Sequence, residues 1–147
     1  MIKYFGNVVQ LGFGAVGKSF FEKANREIKF DMSKYYVITK DKDEYENYMY
    51  LGGLSNNLCT EEVTKDNFSE ILSRFLGPGD LLLDFADCIG TRDLCKWCMD
   101  NNIMYLNTGE ADWPNVWYNI LEENHKKNDS MLQVLTNLSS LYSSLIF

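Results

Sequence analysis

Three glycines at the end of an apolar stretch are the first residues whose spacing points to chemistry. Gly12-Phe-Gly-Ala-Val-Gly17 follows Asn7-Val-Val-Gln-Leu11 and opens a run whose apolar residues (Val16, Phe20, Phe21, Ala24 and Ile28) recur at helical spacing. In Gly-x-Gly-x-x-Gly the first glycine permits a tight turn and the second lets the backbone approach a pyrophosphate. The third allows a helix to pack closely on the strand before it. A helix starting near Ala15 offers unpaired amides and the positive end of its dipole to a phosphate, with no formal charge needed. The pattern therefore predicts a dinucleotide site made by Gly12, Phe13, Gly14, Ala15, Val16 and Gly17.

The same residues fit a second pattern. Gly12, Gly17, Lys18 and Ser19 satisfy the Gly-x4-Gly-Lys-Ser phosphate loop of nucleotide hydrolases, and Asp87-Cys-Ile-Gly90 imitates the Asp-x-x-Gly of small GTPases. Two features favour the dinucleotide. No Asn-Lys-x-Asp base-reading motif follows Gly90, and a β-branched, aromatic stretch, Tyr35-Tyr-Val-Ile-Thr39, arrives where a Rossmann fold places its second strand. Such a strand brings an acid to the adenosine ribose, about twenty residues after the glycines. Thr39 and Lys40 occupy the conventional position and Asp41 is the candidate acid, two residues later. Thr39 and Asp41 join the predicted cofactor-binding set.

Other reactive residues form weaker patterns. Cys95-Lys-Trp-Cys98 lies inside a predicted helix rather than at its start, where the dipole activates a thiol, so structural cysteines are expected. Cys59, Cys88 and His125 stand at no zinc-ligand spacing from it, so no metal is expected, and His125 has no neighbour to make it a base. The loop Leu106-Asn-Thr-Gly-Glu-Ala-Asp-Trp-Pro114 follows a predicted strand at the edge where open α/β sheets bind ligands. Glu110 and Trp113 are the candidate catalytic residues there. A carboxylate and an aromatic face, with Asp112 beside them, suit a cationic substrate.

Holding these residues together requires alternating strands and helices. A helix is predicted from Ala15 to about Glu27, and the polar run Lys40 to Asn47 closes the second strand. A weaker strand spans Leu58 to Val63, and Asp66 caps a helix carrying Phe68, Ile71, Leu72, Phe75 and Leu76. Gly77-Pro-Gly-Asp80 stops it, Leu81 to Ala86 form a buried strand, Thr91 caps a helix to about Asn101, and Ile103 to Asn107 form the next strand. The expected fold is α/β, a Rossmann-type doubly wound parallel sheet in a single domain over residues 1–115. Residues 116–147 are expected to be a helical or truncated tail, with a helix from Asn115 to Lys127.

With 147 residues, 46% of them hydrophobic and 24% charged, the chain has the balance of one globular domain. A net charge of -7 disfavours nucleic acid and anionic membranes as partners. Neither a secretory signal nor a membrane-spanning run is evident, and four cysteines read as free thiols, so a cytoplasmic protein is expected.

Gly12-Phe-Gly-Ala-Val-Gly17, Gly77-Pro-Gly-Asp-Leu-Leu-Leu-Asp84, Leu106-Asn-Thr108 and Trp113-Pro114 follow one another in a way that resembles the NAD-binding first domain of homospermidine synthases. These belong to the saccharopine dehydrogenase-like group, and the resemblance runs from about Gly6 to Asn115. It implies NAD as cofactor and aminobutyl transfer from putrescine in polyamine biosynthesis. Putrescine is oxidised to an imine, a second amine displaces ammonia, and the new imine is reduced. The resemblance also makes Trp113 the aromatic loop residue near the substrate and adds Asp84 and Thr108 to the cofactor set, Asp84 standing where the family usually has Asn. The chain departs from the family in having Ala111 where a Glu usually precedes the Trp by two, with Glu110 one residue off register. Family members are also much longer, and their second domain supplies much of the amine pocket. The expectation is a dinucleotide-binding part of such an enzyme, inactive alone, with a polyamine substrate and a homo-oligomer as further partners. Its rivals are a P-loop hydrolase and a catalytically inactive Rossmann interaction protein.

Overall fold

The computed structural model describes residues 4–87, 89–116, 119–120 and 123. Cys88, His125, most of the helix expected to Lys127 and the tail 128–147 lie outside the described residues. The chain falls into two compact units, Met1–Asp112 and Trp113–Phe147.

Apolar residues in the first unit build a five-stranded sheet. Its elements are β1 (Val8–Leu11), α1 (Ala15–Lys23), β2 (Tyr35–Ile38), α2 (Tyr45–Tyr50), β3 (Leu58–Cys59), α3 (Phe68–Ser73), β4 (Leu81–Asp84), α4 (Thr91–Asp100) and β5 (Met104–Asn107). Every pairing is parallel, in the order β3-β2-β1-β4-β5. All four residues of β1 are buried, as expected of a central strand covered on both faces. Leu11 lies opposite both Ile38 and Asp84, so three strands end level with one another. The chain leaves β1 at the point where strand order reverses, which is where open α/β sheets bind ligands.

Aromatic residues fill the core beside this exit. Phe13, Phe21, Tyr35 and Tyr48 are almost wholly buried, and Phe21 meets the other three edge-on or tilted at centroid distances of 5.3–5.5 Å. The opposite edge is pinned by one side chain. Asp80 accepts from Asn7 N (2.8 Å) through one carboxylate oxygen and from Gly77 N (2.7 Å) through the other, while Gly79 makes the intervening turn at φ +86.

Several local expectations are corrected. Helix α1 ends at Lys23 and continues as a π-turn, Ala24–Ile28, closed by Lys29 at φ 60. The polar run after β2 is a one-turn 3-10 helix, Lys42–Glu44, leading into α2, whose buried Tyr48 holds it on the core. The third strand stops at Cys59, because β2 offers it only Val37 and Ile38 as partners. Asp66 does not cap α3. Asn67 stands at that position, its side chain accepting from Thr64 N and donating to Glu62 O. Gly90 rather than Thr91 caps α4, and the Thr91 hydroxyl accepts from Ala111 N (2.9 Å) instead.

Candidate dinucleotide site

The three glycines of the loop are required for three different reasons. Gly12 adopts φ +88, and a Cβ there would lie 2.9 Å from Phe85 O and 3.0 Å from Ala86 Cα. Only glycine combines that backbone angle with that approach. At Gly17 a Cβ would lie 2.5 Å from Gly12 O and 2.8 Å from Gln10 Nε2, so α1 seats on the loop only without a side chain. At Gly14 a Cβ would meet nothing within 4 Å. Nothing in the fold demands glycine there, and the open space beside its backbone is what a pyrophosphate needs.

Helix α1 begins at Ala15, and its first intrahelical bond from this end is Lys18 N to Gly14 O (2.9 Å). The amides of Ala15, Val16 and Gly17 therefore precede the ladder and are available to an anion. Ala15 and Val16 are exposed, whereas the Phe13 side chain belongs to the core, so Phe13 has only its backbone to offer a ligand. Lys18 is drawn away from the loop. Its Nζ lies 2.7 Å from a Glu44 carboxylate oxygen, and with Asn47 it holds the Glu44 carboxyl below its usual range. A lysine committed in this way is not the phosphate lysine of a hydrolase, and the strand order is that of the dinucleotide fold.

Gln10, absent from the residues singled out in the sequence, holds the loop in shape. It is completely buried; its Nε2 donates to Gly12 O (2.8 Å) and Gly17 O (3.1 Å), and its Oε1 accepts from the Tyr35 hydroxyl (2.6 Å). The signal was available: one amide in the otherwise apolar Val-Val-Gln-Leu strand. Burial raises the Tyr35 hydroxyl pKa well above the ordinary tyrosine value, which keeps it a donor to Gln10.

At the end of β2, Thr39 continues the strand past the Leu11–Ile38 register and so stands abreast of Gly12. Its amide donates to Cys59 O (3.0 Å), and its hydroxyl oxygen accepts from Asp41 N (3.2 Å). Asp41 is exposed, and its carboxylate accepts from Asp43 N (2.9 Å) as the cap of the 3-10 turn. At the end of β4, Asp84 is buried, accepting from the Tyr105 hydroxyl (2.8 Å) and from Ala86 N (3.2 Å). Desolvation raises its pKa, although both hydrogen bonds oppose the shift. Asp84 therefore braces β4, β5 and the loop behind Gly12.

Beyond β5, Thr108 and Glu110 are exposed, and Glu110 lies 3.7 Å from Arg92. Asn107 Nδ2 donates to Gly109 O (2.7 Å), shaping this turn. Trp113 opens the second unit and is buried. Cys98 is buried within α4 and burial pushes its thiol up to about 12, which suits a structural cysteine and not a nucleophile. Among the described residues no group of three acids, cysteines or histidines is placed to hold a metal, and no helix is long and apolar enough to cross a membrane.

Comparison with known proteins agrees with this geometry. The family model of the saccharopine dehydrogenase NADP-binding domain matches residues 8–138. The homospermidine synthase of Mesorhizobium japonicum is 24% identical over 131 residues, covering 87% of this chain and 26% of its own. That of Blastochloris viridis is 28% identical over 111 residues, covering 74% and 23%. The chain thus spans about a quarter of the length of the curated relatives it matches. A crystal structure of the homospermidine synthase of Legionella pneumophila, in complex with NAD, shares the fold with a TM-score of 0.69 at 24% identity, over 83% of this chain and 26% of that one.

Proposed function

Because the chain belongs to the saccharopine dehydrogenase NADP-binding domain family, we propose that it holds NAD over the Gly12–Gly17 loop as the cofactor-binding part of a homospermidine synthase-like enzyme. The observation that carries the proposal is the division of labour among the glycines. Gly12 and Gly17 are fixed by the fold, while Gly14 is fixed by nothing but open space at the mouth of α1. The exposed amides of Ala15 and Val16 and that of Gly17 take the pyrophosphate, and the level ends of β1, β2 and β4 supply the floor. Asp84 acts through the loop it braces, and Asp41, exposed two residues past Thr39 and capping the next turn through one carboxylate oxygen, is assigned to the adenosine ribose.

When bound, NAD supplies a hydride acceptor that is regenerated within one turnover. The chain's residues orient it. Putrescine or another polyamine is the proposed amine. On the first unit the exposed Glu110 carboxylate is assigned to an ammonium group and Thr108 lies two residues before it, while Trp113 keeps its assignment as an aromatic neighbour of the substrate. Aminobutyl transfer is proposed for the whole enzyme, possession of the cofactor for this chain, and a homo-oligomer in a cytoplasmic setting completes the reading.

Gly14→Val tests it. The Cβ has room, so the variant is expected to melt with the parent, yet its side chain occupies the pyrophosphate path. Titration followed by tryptophan fluorescence should show saturable NAD binding by the parent and none by the variant. Equal binding by both refutes the proposal.

A further inference from the structure

Two loops leave the carboxyl edge of the sheet from neighbouring strands, one after β4 and one after β5. The first lies against the glycine loop, since a Cβ at Gly12 would stand 2.9 Å from Phe85 O and 3.0 Å from Ala86 N. The second carries Glu110, the carboxylate assigned to the amine. A continuous line of hydrogen bonds joins them. Ala86 N donates to one oxygen of the Asp84 carboxylate (3.2 Å), and the Tyr105 hydroxyl donates to the other (2.8 Å). Burial raises the Tyr105 pKa, and the Thr91 hydroxyl, which donates to the same phenol oxygen, opposes the rise. Thr91 Oγ1 accepts in turn from Ala111 N (2.9 Å), while Thr91 N donates to Ala111 O (2.9 Å). Each hydroxyl accepts once and donates once, both toward one buried carboxylate, an arrangement in which hydrogen bonds strengthen one another.

The far end of the line is held residue by residue. Thr91 faces Ala111, and Arg92 lies 3.7 Å from Glu110, so the start of α4 and the loop run alongside each other. Holding Ala111 therefore holds the backbone of Glu110. The helix makes no claim on the Thr91 hydroxyl as a cap, because Gly90 stands at that position.

We infer that Thr91 and Tyr105 are positioning residues of the amine site. With Asp84 they tie the loop that carries Glu110 to the backbone beneath the dinucleotide, so that a filled cofactor loop fixes where that carboxylate stands. The inference rests on the dinucleotide reading above. Amide hydrogen exchange of the 147-residue chain, followed at Ala111 with and without saturating NAD, tests it. In the parent, NAD should slow exchange at Ala111 by about tenfold, the protection that one hydrogen bond confers on a segment that opens locally. Tyr105→Phe keeps both Thr91–Ala111 bonds but cuts the line to Asp84, and it should lose the response to NAD. Thr91→Val cuts the next link; exchange at Ala111 should be faster without ligand, by about tenfold, and indifferent to NAD. Thr91→Ser keeps the hydroxyl and should restore the parent's behaviour. A brace with a structural role alone would change melting in these variants and leave the NAD response in place. Slowing by NAD that persists in Tyr105→Phe or in Thr91→Val overturns the inference. So does a parent that binds NAD with exchange at Ala111 unchanged, and the dinucleotide reading then stands. Failure of the parent to bind NAD overturns that reading, and the inference with it.

Discussion

Replacing Gln10 with Leu removes the clamp on the glycine loop while keeping the volume of a central strand residue. Three hydrogen bonds disappear, to Gly12 O (2.8 Å), to Gly17 O (3.1 Å) and from Tyr35 (2.6 Å). Gly17 O sits in the first turn of α1 and retains a helical partner, so its loss is slight. The Tyr35 hydroxyl, buried beside Phe21, is left without an acceptor, at about 1–3 kcal/mol, and Gly12 O costs a similar amount. The added apolar surface returns roughly 1 kcal/mol. The net loss is about 1–5 kcal/mol, or roughly 2–20 °C in Tm for a domain of this size. Urea denaturation of the single variants and of Gln10→Leu/Tyr35→Phe separates the terms. The double variant has no orphaned hydroxyl, so it should be more stable than the sum of the two single losses predicts, by at least about 1 kcal/mol. NAD affinity should fall in Gln10→Leu, because the loop loses its shape. A loss below about 0.5 kcal/mol, or strict additivity in the cycle, refutes the reasoning.

Lys18→Ala should leave NAD titration essentially unchanged, since Lys18 is engaged by Glu44; abolished binding would revive the hydrolase reading. Its stability cost is at most about 1 kcal/mol for a half-buried pair that solvent still reaches. Because the Glu44 pKa is depressed, that contribution is present above the ordinary carboxylate range and lost as pH falls through the folded value, so parent and variant melts should converge on acidification. Asp84→Asn has the opposite sign. Its pKa is raised by burial, so the ionised form burdens the fold at neutral pH and the burden lifts as pH falls. The Asn variant is expected to melt at or above the parent at pH 7, with the parent gaining on it in acid; a variant that is less stable at pH 7 and equally sensitive to pH would sink this account.

The parallel sheet and the loop were legible because both rest on local patterns: apolar runs of strand length, helical spacing after Ala15, and glycines where backbone angles or contacts forbid anything else. What escaped depends on partners distant in sequence. Gln10 reads as a blemish in a strand until Tyr35, 25 residues on, is seen to answer it. Helix α2 begins in a polar stretch and is held by Tyr48 packing on Phe13 and Phe21. Asp41 also caps the turn that follows it by accepting from Asp43 N, a structural role that its place after β2 did not announce. The Asp66 and Thr91 caps failed for a related reason: neighbouring residues took the cap position, and Thr91 found a better partner 20 residues away.

The position of β1 in the middle of the sheet has a consequence during synthesis. One edge of β1 is covered by β2, whose register partner for Val8 is Tyr35, but the other waits for Leu81, 73 residues later. At about 5–20 residues per second, roughly 4–15 s pass between the emergence of the two strands. Throughout that interval the nascent chain carries a bare parallel edge of Val8, Val9 and Leu11, a template for pairing with another chain. Asp80, fastening Asn7 to the turn before β4, is therefore the residue whose arrival closes that interval, and the yield of soluble protein should be more sensitive to Asp80→Ala than its equilibrium stability is.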